Sequence, residues 1–376
     1  AYEIASNHGG LSFATPLIDN SAAERDTFTS LEWLAGWTAL HDLGEPGEAV
    51  RHFQNFANAA KFAATRSRGL YWAGRSAEAA GRQDYRAFYD AAAQNELTFY
   101  GQLAHEQLGR PLSISGGDTP QPTPTTLADW NSDPRVEAVA IYGQQGDSSK
   151  QQMFLTALAN DLTREKLPLY SALASQWGFH HYAVLNTRGA DTTKPDAVID
   201  LSWRQMTLPP TTQHMWTLVH AITRQESQFR LDAVSPAGAR GLMQIMRPTA
   251  REQARKSGLS YRPNALTSDR GYNIQLGSAY FARMLDNWGG SHVLAIASYN
   301  AGPGNVRRWV RNNGDPRMPN VDVLEWIEEI PFSETKTYVR NVLENAVIYD
   351  ELRPDLRKGG PQENRLSWYL GKNQVG

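Results

Sequence analysis

The sequence predicts an all-α protein with more than one domain. Apolar residues recur at three- and four-residue spacing through most of the chain, as in helices with a buried side. Clusters of Gly and Pro separate these segments. A length of 376 residues exceeds what a single compact core usually holds, so we expect two or three domains. At most one small β-hairpin is expected, in the Gly-rich stretch 235–246.

The N-terminal part of the chain repeats a helical hairpin. LEWLAGWTALHDLGEPGEAVRHFQNFANAA (31–60) reads as a helix, a Gly/Pro turn and a second helix. LYWAGRSAEAAGRQDYRAFYDAAAQ (70–94) follows the same scheme, with Ala-Gly at 73–74 in the place of Ala-Gly at 35–36. Such repeats are typical of a helical-hairpin solenoid. We expect its aromatic side chains to pack between helices: Trp33, Trp37, Tyr71, Trp72, Phe88, Tyr89, Phe99 and Tyr100.

Two stretches rich in proline suggest the domain borders. PLSISGGDTPQPTPTT (111–126) has no apolar periodicity and is predicted to be a loop or linker. Helical patterning then returns, and the paired prolines of LSWRQMTLPP (201–210) are expected to lead into the last domain. The predicted domains are a helical superhelix fragment with its linker loop (1–126), a helical linker domain (127–202) and a domain that carries the remaining motifs (203–376).

Composition excludes several classes of protein. A formal net charge of −2 argues against a nucleic-acid partner. No apolar run reaches the length of a membrane-spanning helix, so no membrane span is predicted. Nine His residues without HExxH spacing predict no metal site, and no cofactor motif is present. The absence of GxSxG gives no support to a serine hydrolase.

The absence of cysteine and the first residues bear on the compartment. Zero Cys residues exclude disulfides and a Cys nucleophile. They suit an oxidising compartment such as the periplasm, although a cytosolic protein could lack Cys too. The chain begins with AYEIASNHGG, which carries no signal peptide and reads like the middle of a helical region. We therefore expect a processed or truncated product with a missing N-terminal part.

Glu226 is the candidate catalytic residue. It follows Ile222 by four residues and Val219 by seven, which continues the apolar stripe of a predicted helix. A carboxyl group on the buried side loses hydration, so its pKa should rise and it could act as a general acid. The alternative is a Glu at a fraying helix end that pairs with Arg224 or Arg230.

The segments after Glu226 are predicted to build the rest of the site. SPAGARGLMQIM (235–246) should form a turn or short hairpin beside Glu226. Helices are expected over 247–258, 272–290 and 330–352, the last capped by Ser333. VLAIASYNAGPGNVRRWVRNN (293–313) reads as a helix, a Gly/Pro turn that carries Tyr299 and Asn300, and another helix.

Five ordered segments resemble the soluble lytic transglycosylases of Gram-negative bacteria. They are ESQF, SPAGARGLMQIM, YNIQLGSAYF, ASYNAGPGNV and IPFSETKTYVRNVL, all within 226–343. YWAGRSAEAAGR and LTFYGQLAHEQLG are similar to that family's helical U-shaped domain. MRPTA (246–250) departs from the family pattern, in which Pro tends to follow Met directly. The resemblance implies a U-shaped superhelix truncated at its N-terminus, a helical linker domain and a lysozyme-like catalytic domain.

The resemblance also implies an activity. Enzymes of this family cut the β-1,4 bond between N-acetylmuramic acid and N-acetylglucosamine in peptidoglycan without water, and they leave a 1,6-anhydro ring. Glu226 would act as the single acid and then as the base, and the substrate's 2-acetamido group would meet the developing positive charge. The implied partners are peptidoglycan glycan strands in the periplasm, and other cell-wall enzymes as partners are left open.

Substrate-binding roles are implied for the Gly-rich stretch. Ser235 matches a position near the acetamido group or the anomeric centre, although it could equally form the turn. Met243, Gln244 and Met246 match the segment that floors the cleft. Gln244 is expected to bond sugar or peptide, whereas either Met could be core filler.

Further roles are implied for the later segments. Tyr299 and Asn300 are expected to hydrogen-bond Glu226 and the sugar. Glu334 is expected to bind the substrate's peptide or to pair with Arg340. Tyr338 either lines the cleft or packs in the core.

Two rival readings follow from the same residues. In a lysozyme-like hydrolase, Asp232 or Glu334 would activate water, although Asp232 more simply reads as a loop charge. In a scaffold without catalysis, the last domain would only bind glycan, but the presence of Glu226 and its neighbours disfavours this.

Overall fold

The structure, a computed structural model, describes residues 2–6, 21–116, 121–163, 165–187, 196–358 and 365–372. The chain divides into two compact units. Unit 1 comprises Ala1–Ser113 and Gly359–Gly376, and unit 2 comprises Ile114–Lys358. The three-domain division with borders after residues 126 and 202 stays a prediction.

The all-α prediction is confirmed. The described residues form helices, and their strand-like pairing is limited to two isolated bridges, Val234 with Arg240 and Arg240 with Ile245. The first helices belong to unit 1: α1 (Tyr2–Ser6), α2 (Ala22–His41), α3 (Pro46–Ala59), α4 (Ala63–Ala79), α5 (Tyr85–Ala93) and α6 (Phe99–Leu108). Within the described residues, no helix is both long and apolar enough to cross a membrane.

The repeated Ala-Gly pairs of unit 1 have a packing reason. A Cβ atom at Gly36 would lie 3.0 Å from Phe53 Cε1, and one at Gly74 would lie 2.7 Å from Tyr89 Cε1. In each hairpin the glycine therefore admits an aromatic ring from the next helix. Tyr71 is fully buried, and its ring lies 5.5 Å from that of Tyr89, as expected for aromatics that pack between helices.

Unit 2 contains thirteen of the described helices. They are α7 (Pro124–Ser132), α8 (Pro134–Gln144), α9 (Ser148–Asn160), α10 (Leu167–Gln176), α11 (His181–Thr187), α12 (Asp196–Ser202), α13 (Trp216–Ser227), α14 (Arg247–Lys256), α15 (Arg270–Asn287), α16 (His292–Ala301), α17 (Pro303–Asn313), α18 (Val323–Glu328) and α19 (Ser333–Leu352). Short 3-10 turns cover Pro210–Met215 and Asn264–Thr267. The last helix, α20 (Arg365–Tyr369), belongs to unit 1.

Helix α13 lies in the core of unit 2, and the prediction of one buried stripe is wrong. Every residue from Trp216 to Arg224 is buried. Arg224 donates to the Ser202 carbonyl and to Asn345 Oδ1, both at 2.8 Å. These polar contacts allow the Arg224 side of α13 to be buried as well, because the buried guanidinium group finds acceptors.

Candidate active site

Glu226 lies in the last turn of α13, directly before a strained turn. Gln228 (φ 49°) ends the helix, and Phe229 (φ 68°) follows in the same left-handed region. This backbone conformation costs about 1–3 kcal/mol for each residue other than glycine, and it is often found at functional sites. The hydroxyl of Ser227 donates to the Leu242 carbonyl at 2.8 Å, so the loop 233–246 lies beside the end of α13, as predicted.

The carboxyl group of Glu226 is half-buried and accepts one strong hydrogen bond. The Tyr338 hydroxyl donates to Glu226 Oε1 at 2.7 Å, and Tyr338 itself is buried. Burial raises the pKa of Glu226 to about 7, the Tyr338 hydrogen bond lowers it, and the negative charge of Glu334 raises it. A carboxyl group with such a pKa can both hold and release a proton near neutral pH.

The basic residues near Glu226 have other partners. Arg224 donates to Ser202 and Asn345, as described above. Arg230 Nε lies 3.2 Å from Asp232 Oδ1, and the Asp232 side chain is 73% exposed. Asp232 is therefore an exposed charged residue of the loop, which is the simpler of its two predicted roles. Among the described residues, the hydrogen-bond partner of Glu226 is Tyr338.

Asn273 holds the loop 233–246 in place. Its Oδ1 accepts from the Met243 amide at 2.9 Å, and its Nδ2 donates to the Arg240 and Leu266 carbonyls. Gly241 has φ 74°, and a Cβ there would lie 2.1 Å from the Leu266 carbonyl oxygen, so this position requires glycine. Sequence reasoning missed Asn273, although a polar residue in an apolar helical segment was a signal.

The two methionines of the loop have different surroundings. The Met243 side chain is fully buried, and a Cβ at Gly277 would lie 2.6 Å from its Sδ. It therefore packs in the core, which the sequence left open, and only its backbone can face the site. Met246 is 41% exposed and can line a cleft.

Ser235 and Gln244 contact the loop itself. The Ser235 hydroxyl accepts from the Ala239 amide at 3.0 Å, which is the turn-forming role. Gln244 has φ 44°, and its Nε2 donates to the Gly241 carbonyl at 2.8 Å. Both side chains are partly exposed, so either could also meet a ligand.

Tyr299 and Asn300 lie in the last turn of α16, not in the turn that follows it. The Tyr299 hydroxyl donates to the Met243 carbonyl at 2.8 Å. Burial, and then the charge of Glu226, raise the pKa of Tyr299. Asn300 Oδ1 accepts from the Thr335 hydroxyl at 2.6 Å. The prediction that these two residues hydrogen-bond Glu226 is wrong. The Tyr299 hydroxyl donates to Met243, and the donor to Glu226 is Tyr338.

The start of α19 differs from its prediction in two respects. Ser333 is the first residue of the helix, and the position before it, Phe332, makes no side-chain cap. Glu334 is exposed in the first turn, whereas Arg340 bonds Glu328 at 2.8 Å instead of Glu334. Sequence reasoning missed Glu328.

Among the described residues, no group of three or more His, Asp or Glu side chains is arranged to hold a metal ion. The site therefore consists of one half-buried carboxyl group, its tyrosine partner, a nearby acidic charge and the loop 233–246. This arrangement can exchange one proton with a ligand through Glu226.

Comparison with known proteins finds relatives of one kind. The family model for the transglycosylase SLT domain matches residues 210–320, which include Glu226 and Tyr299 but end before α19. The soluble lytic murein transglycosylase of Escherichia coli (strain K12) is 28% identical over 255 residues, which is 67% of this chain and 38% of that protein. The chain thus spans well under half the length of this relative.

Two solved structures are similar to this chain over most of its length. The lytic transglycosylase Slt from Pseudomonas aeruginosa, solved as an inactive mutant, has a TM-score of 0.71 and 26% identity, and the match covers 95% of this chain and 55% of that one. The 70 kDa soluble lytic transglycosylase from Escherichia coli has a TM-score of 0.65 at 22% identity, covers 91% of this chain and 57% of its own, and supports the fold alone.

Proposed function

We propose that the chain is a lytic transglycosylase and that it cleaves peptidoglycan without water. The cut bond is the β-1,4 bond between N-acetylmuramic acid and N-acetylglucosamine, and the product carries a 1,6-anhydro ring. The observation that carries the proposal is the carboxyl group of Glu226, which combines a pKa of about 7 with a single hydrogen-bond partner in the described residues.

One carboxyl group is enough for both proton transfers. Protonated Glu226 gives its proton to the glycosidic oxygen as the bond to the anomeric carbon breaks. The resulting carboxylate then takes the proton of the muramic acid 6-hydroxyl while that oxygen bonds the anomeric carbon. The second step closes the anhydro ring and returns Glu226 to its acid form. A pKa near neutrality serves both steps, because neither protonation state is strongly disfavoured.

Tyr338 orients this carboxyl group. Its hydroxyl engages Oε1, while Oε2 accepts no hydrogen bond from the described residues. We infer that Oε2 exchanges the proton with the substrate. The same hydrogen bond favours the carboxylate, which is the form needed for the second step.

Substrate contacts are proposed for the partly exposed side chains around Glu226. They are Ser235, Gln244, Met246, Asn300 and Glu334. Met243 and Tyr299 are proposed to support the loop 233–246 instead of contacting the substrate, because the Tyr299 hydroxyl donates to the Met243 carbonyl. We infer no chemistry in the superhelix of unit 1, and its proposed role is to guide or restrict glycan strands.

A lysozyme-like hydrolase is the second candidate. It is favoured by one observation, that Glu334 lies close enough to Glu226 for its charge to raise the pKa of that group. A second carboxylate near the bond could activate water, as in glycosidases that use two acids.

Product analysis separates the two candidates. The chain is incubated with purified peptidoglycan sacculi, and the soluble products are examined by mass spectrometry before and after borohydride reduction. We expect muropeptides lighter than hydrolysis products by one water molecule and resistant to reduction. Reducible products would establish the hydrolase instead, and no products at all would contradict both.

A periplasmic location is part of the proposal. Peptidoglycan lies in the periplasm of Gram-negative bacteria, and the similar proteins named above come from such bacteria. Recovery of the protein with cytoplasmic markers after cell fractionation would contradict this location.

A further inference from the structure

Glu328 is a buried carboxyl group that the proposed chemistry does not use. It is the last residue of α18, and its side chain has no exposed surface. Arg340 Nη1 lies 2.8 Å from its Oε1, and Lys336 Nζ lies 3.8 Å from its Oε2. Removing charged groups from water is costly, so such a group is retained only where its partners are held close. Both of these partners belong to α19.

The geometry of α19 relates these contacts to Glu226. Lys336 and Arg340 are four residues apart and lie on one face of the helix. Tyr338 is two residues from each of them, about 200° around the axis, and so lies on the opposite face. Glu334 precedes Tyr338 by four residues and shares its face. One side of α19 therefore contacts Glu328, and the other side presents Tyr338 and Glu334 to Glu226.

The first turn of α19 is also attached to the rest of unit 2 through Thr335. Phe332, which precedes it, provides no side-chain cap, so the first amides are not held in the usual way. Thr335 donates to Asn300 Oδ1 at 2.6 Å, which is a second point of attachment. The contacts of Glu328 add an attachment on the side of the helix away from Tyr338.

We propose that Glu328 is a positioning residue that holds α19 in the rotation at which the Tyr338 hydroxyl reaches Glu226. The hydrogen bond between Tyr338 and Glu226 tolerates only a small displacement of α19. The hydroxyl lies 2.7 Å from Oε1, and such a hydrogen bond is weak beyond roughly 3.2 Å. A displacement of the helix by about half an ångström is therefore enough to weaken the contact. The kinetic consequence of this role rests on the proposed function, but the positioning itself does not.

The test compares Glu328→Gln with Tyr338→Phe. The Gln variant keeps the shape of the side chain but removes the charge that holds Lys336 and Arg340. The Tyr338 hydrogen bond lowers the pKa of Glu226. Both substitutions should weaken or remove this hydrogen bond and so raise the pKa of Glu226. The reaction needs protonated Glu226, so the alkaline limb of kcat/KM against pH should move to higher pH by about half a unit in both variants.

A double variant distinguishes positioning from a general loss of stability. If both residues act through one hydrogen bond, Glu328→Gln combined with Tyr338→Phe should shift the alkaline limb no further than Tyr338→Phe alone. The matched control is Glu252→Gln, which also removes a carboxylate paired with an Arg and a Lys (Arg283 and Lys256). It should leave the limb unchanged. Shifts that add, or a limb that does not move in Glu328→Gln, would overturn the proposal.

A titration of the Glu226 carboxyl carbon by NMR, in protein labelled with carbon-13 glutamate, gives an answer that needs no turnover. We expect a higher pKa in Glu328→Gln than in the wild type. Wild-type protein that cuts no peptidoglycan would refute the proposed function, while this titration would still decide the role of Glu328. If Glu328→Gln does not fold, Arg340→Lys replaces it: a raised pKa supports the role, and an unchanged pKa refutes it.

Discussion

Each compact unit contains a carboxyl group whose pKa is raised to about 7 by burial, but the two groups differ in their partners. In unit 1, Glu106 of α6 accepts from the Leu366 amide (2.6 Å), the Ser367 amide (3.1 Å) and the Ser367 hydroxyl (2.6 Å). In unit 2, Glu226 accepts from Tyr338 on one oxygen, and the described residues offer its other oxygen no donor. A raised pKa therefore does not identify a catalytic acid. What distinguishes Glu226 is an oxygen that the fold leaves for a ligand.

The largest expected effect is the loss of turnover in Glu226→Gln. Glutamine keeps the acceptor for the Tyr338 hydroxyl but cannot give or take the proton. Release of muropeptides from sacculi should fall on the order of 10³-fold, while the unfolding midpoint in urea stays at or above the wild-type value. A Glu226→Gln variant that keeps most of its activity would contradict the assignment of Glu226 as the catalytic acid.

Glu106→Gln should change stability but not catalysis. The folded pKa of about 7 lies above that of an unfolded glutamate, about 4.3. The folded state therefore binds the proton more tightly, and the contribution of Glu106 to the free energy of unfolding falls as pH rises from about 4.5 to above 7. This contribution spans up to about 4 kcal/mol.

Urea unfolding at pH 5 and pH 8 measures that contribution. The difference in unfolding free energy between the two pH values should be smaller in Glu106→Gln than in the wild type, while turnover of the folded variant stays within about twofold of the wild type. A variant with normal pH dependence but impaired turnover would reverse the roles assigned to the two carboxyl groups.

Tyr338→Phe should act on catalysis through the pKa of Glu226. Loss of the hydroxyl removes the contact that lowers this pKa and leaves the carboxyl group less well oriented. We expect kcat to fall about tenfold and the alkaline limb of the pH profile to move upward. Tyr299→Phe is the matched control, because its hydroxyl bonds the Met243 carbonyl instead of Glu226. An equal shift in both variants would show that neither hydrogen bond is specific.

The sequence predicted the elements better than the contacts between them. The helical period predicted the helix that carries Glu226, because that pattern is local, but the carboxyl group at the end of α13 is half-buried. Tyr338 lies 112 residues further along the chain, and no local pattern relates it to Glu226. The buried polar contact of Arg224 with Asn345 is equally non-local. It contributes to the burial of α13 on all sides from Trp216 to Arg224, instead of along one stripe.

The loop 233–246 illustrates a second limit. Met243 and Met246 are three residues apart in one motif, but the first is in the core and the second is exposed. Between them Gln244 adopts a positive φ of 44°, a conformation that glutamine rarely adopts and that its propensity therefore does not predict. The direction of each side chain follows from the loop's contacts with Asn273.

The smallest expected effect is that of Glu334→Gln, and its direction is the opposite of that in Tyr338→Phe. The charge of Glu334 raises the pKa of Glu226, so its removal should lower that pKa and move the alkaline limb down by a few tenths of a pH unit. Because Glu334 is exposed, salt should screen its charge. The difference from the wild type should therefore shrink between low and high ionic strength.

This prediction also separates a tuning charge from a second catalytic carboxylate. If Glu334 only adjusts Glu226, the Gln variant keeps turnover within a few-fold and still releases anhydro products. If it activates water, the same substitution abolishes hydrolysis at every ionic strength. A small, salt-dependent shift would therefore leave Glu226 as the one carboxyl group in unit 2 that must exchange a proton. Unlike Glu106, it would be defined by the oxygen that the fold leaves without a donor.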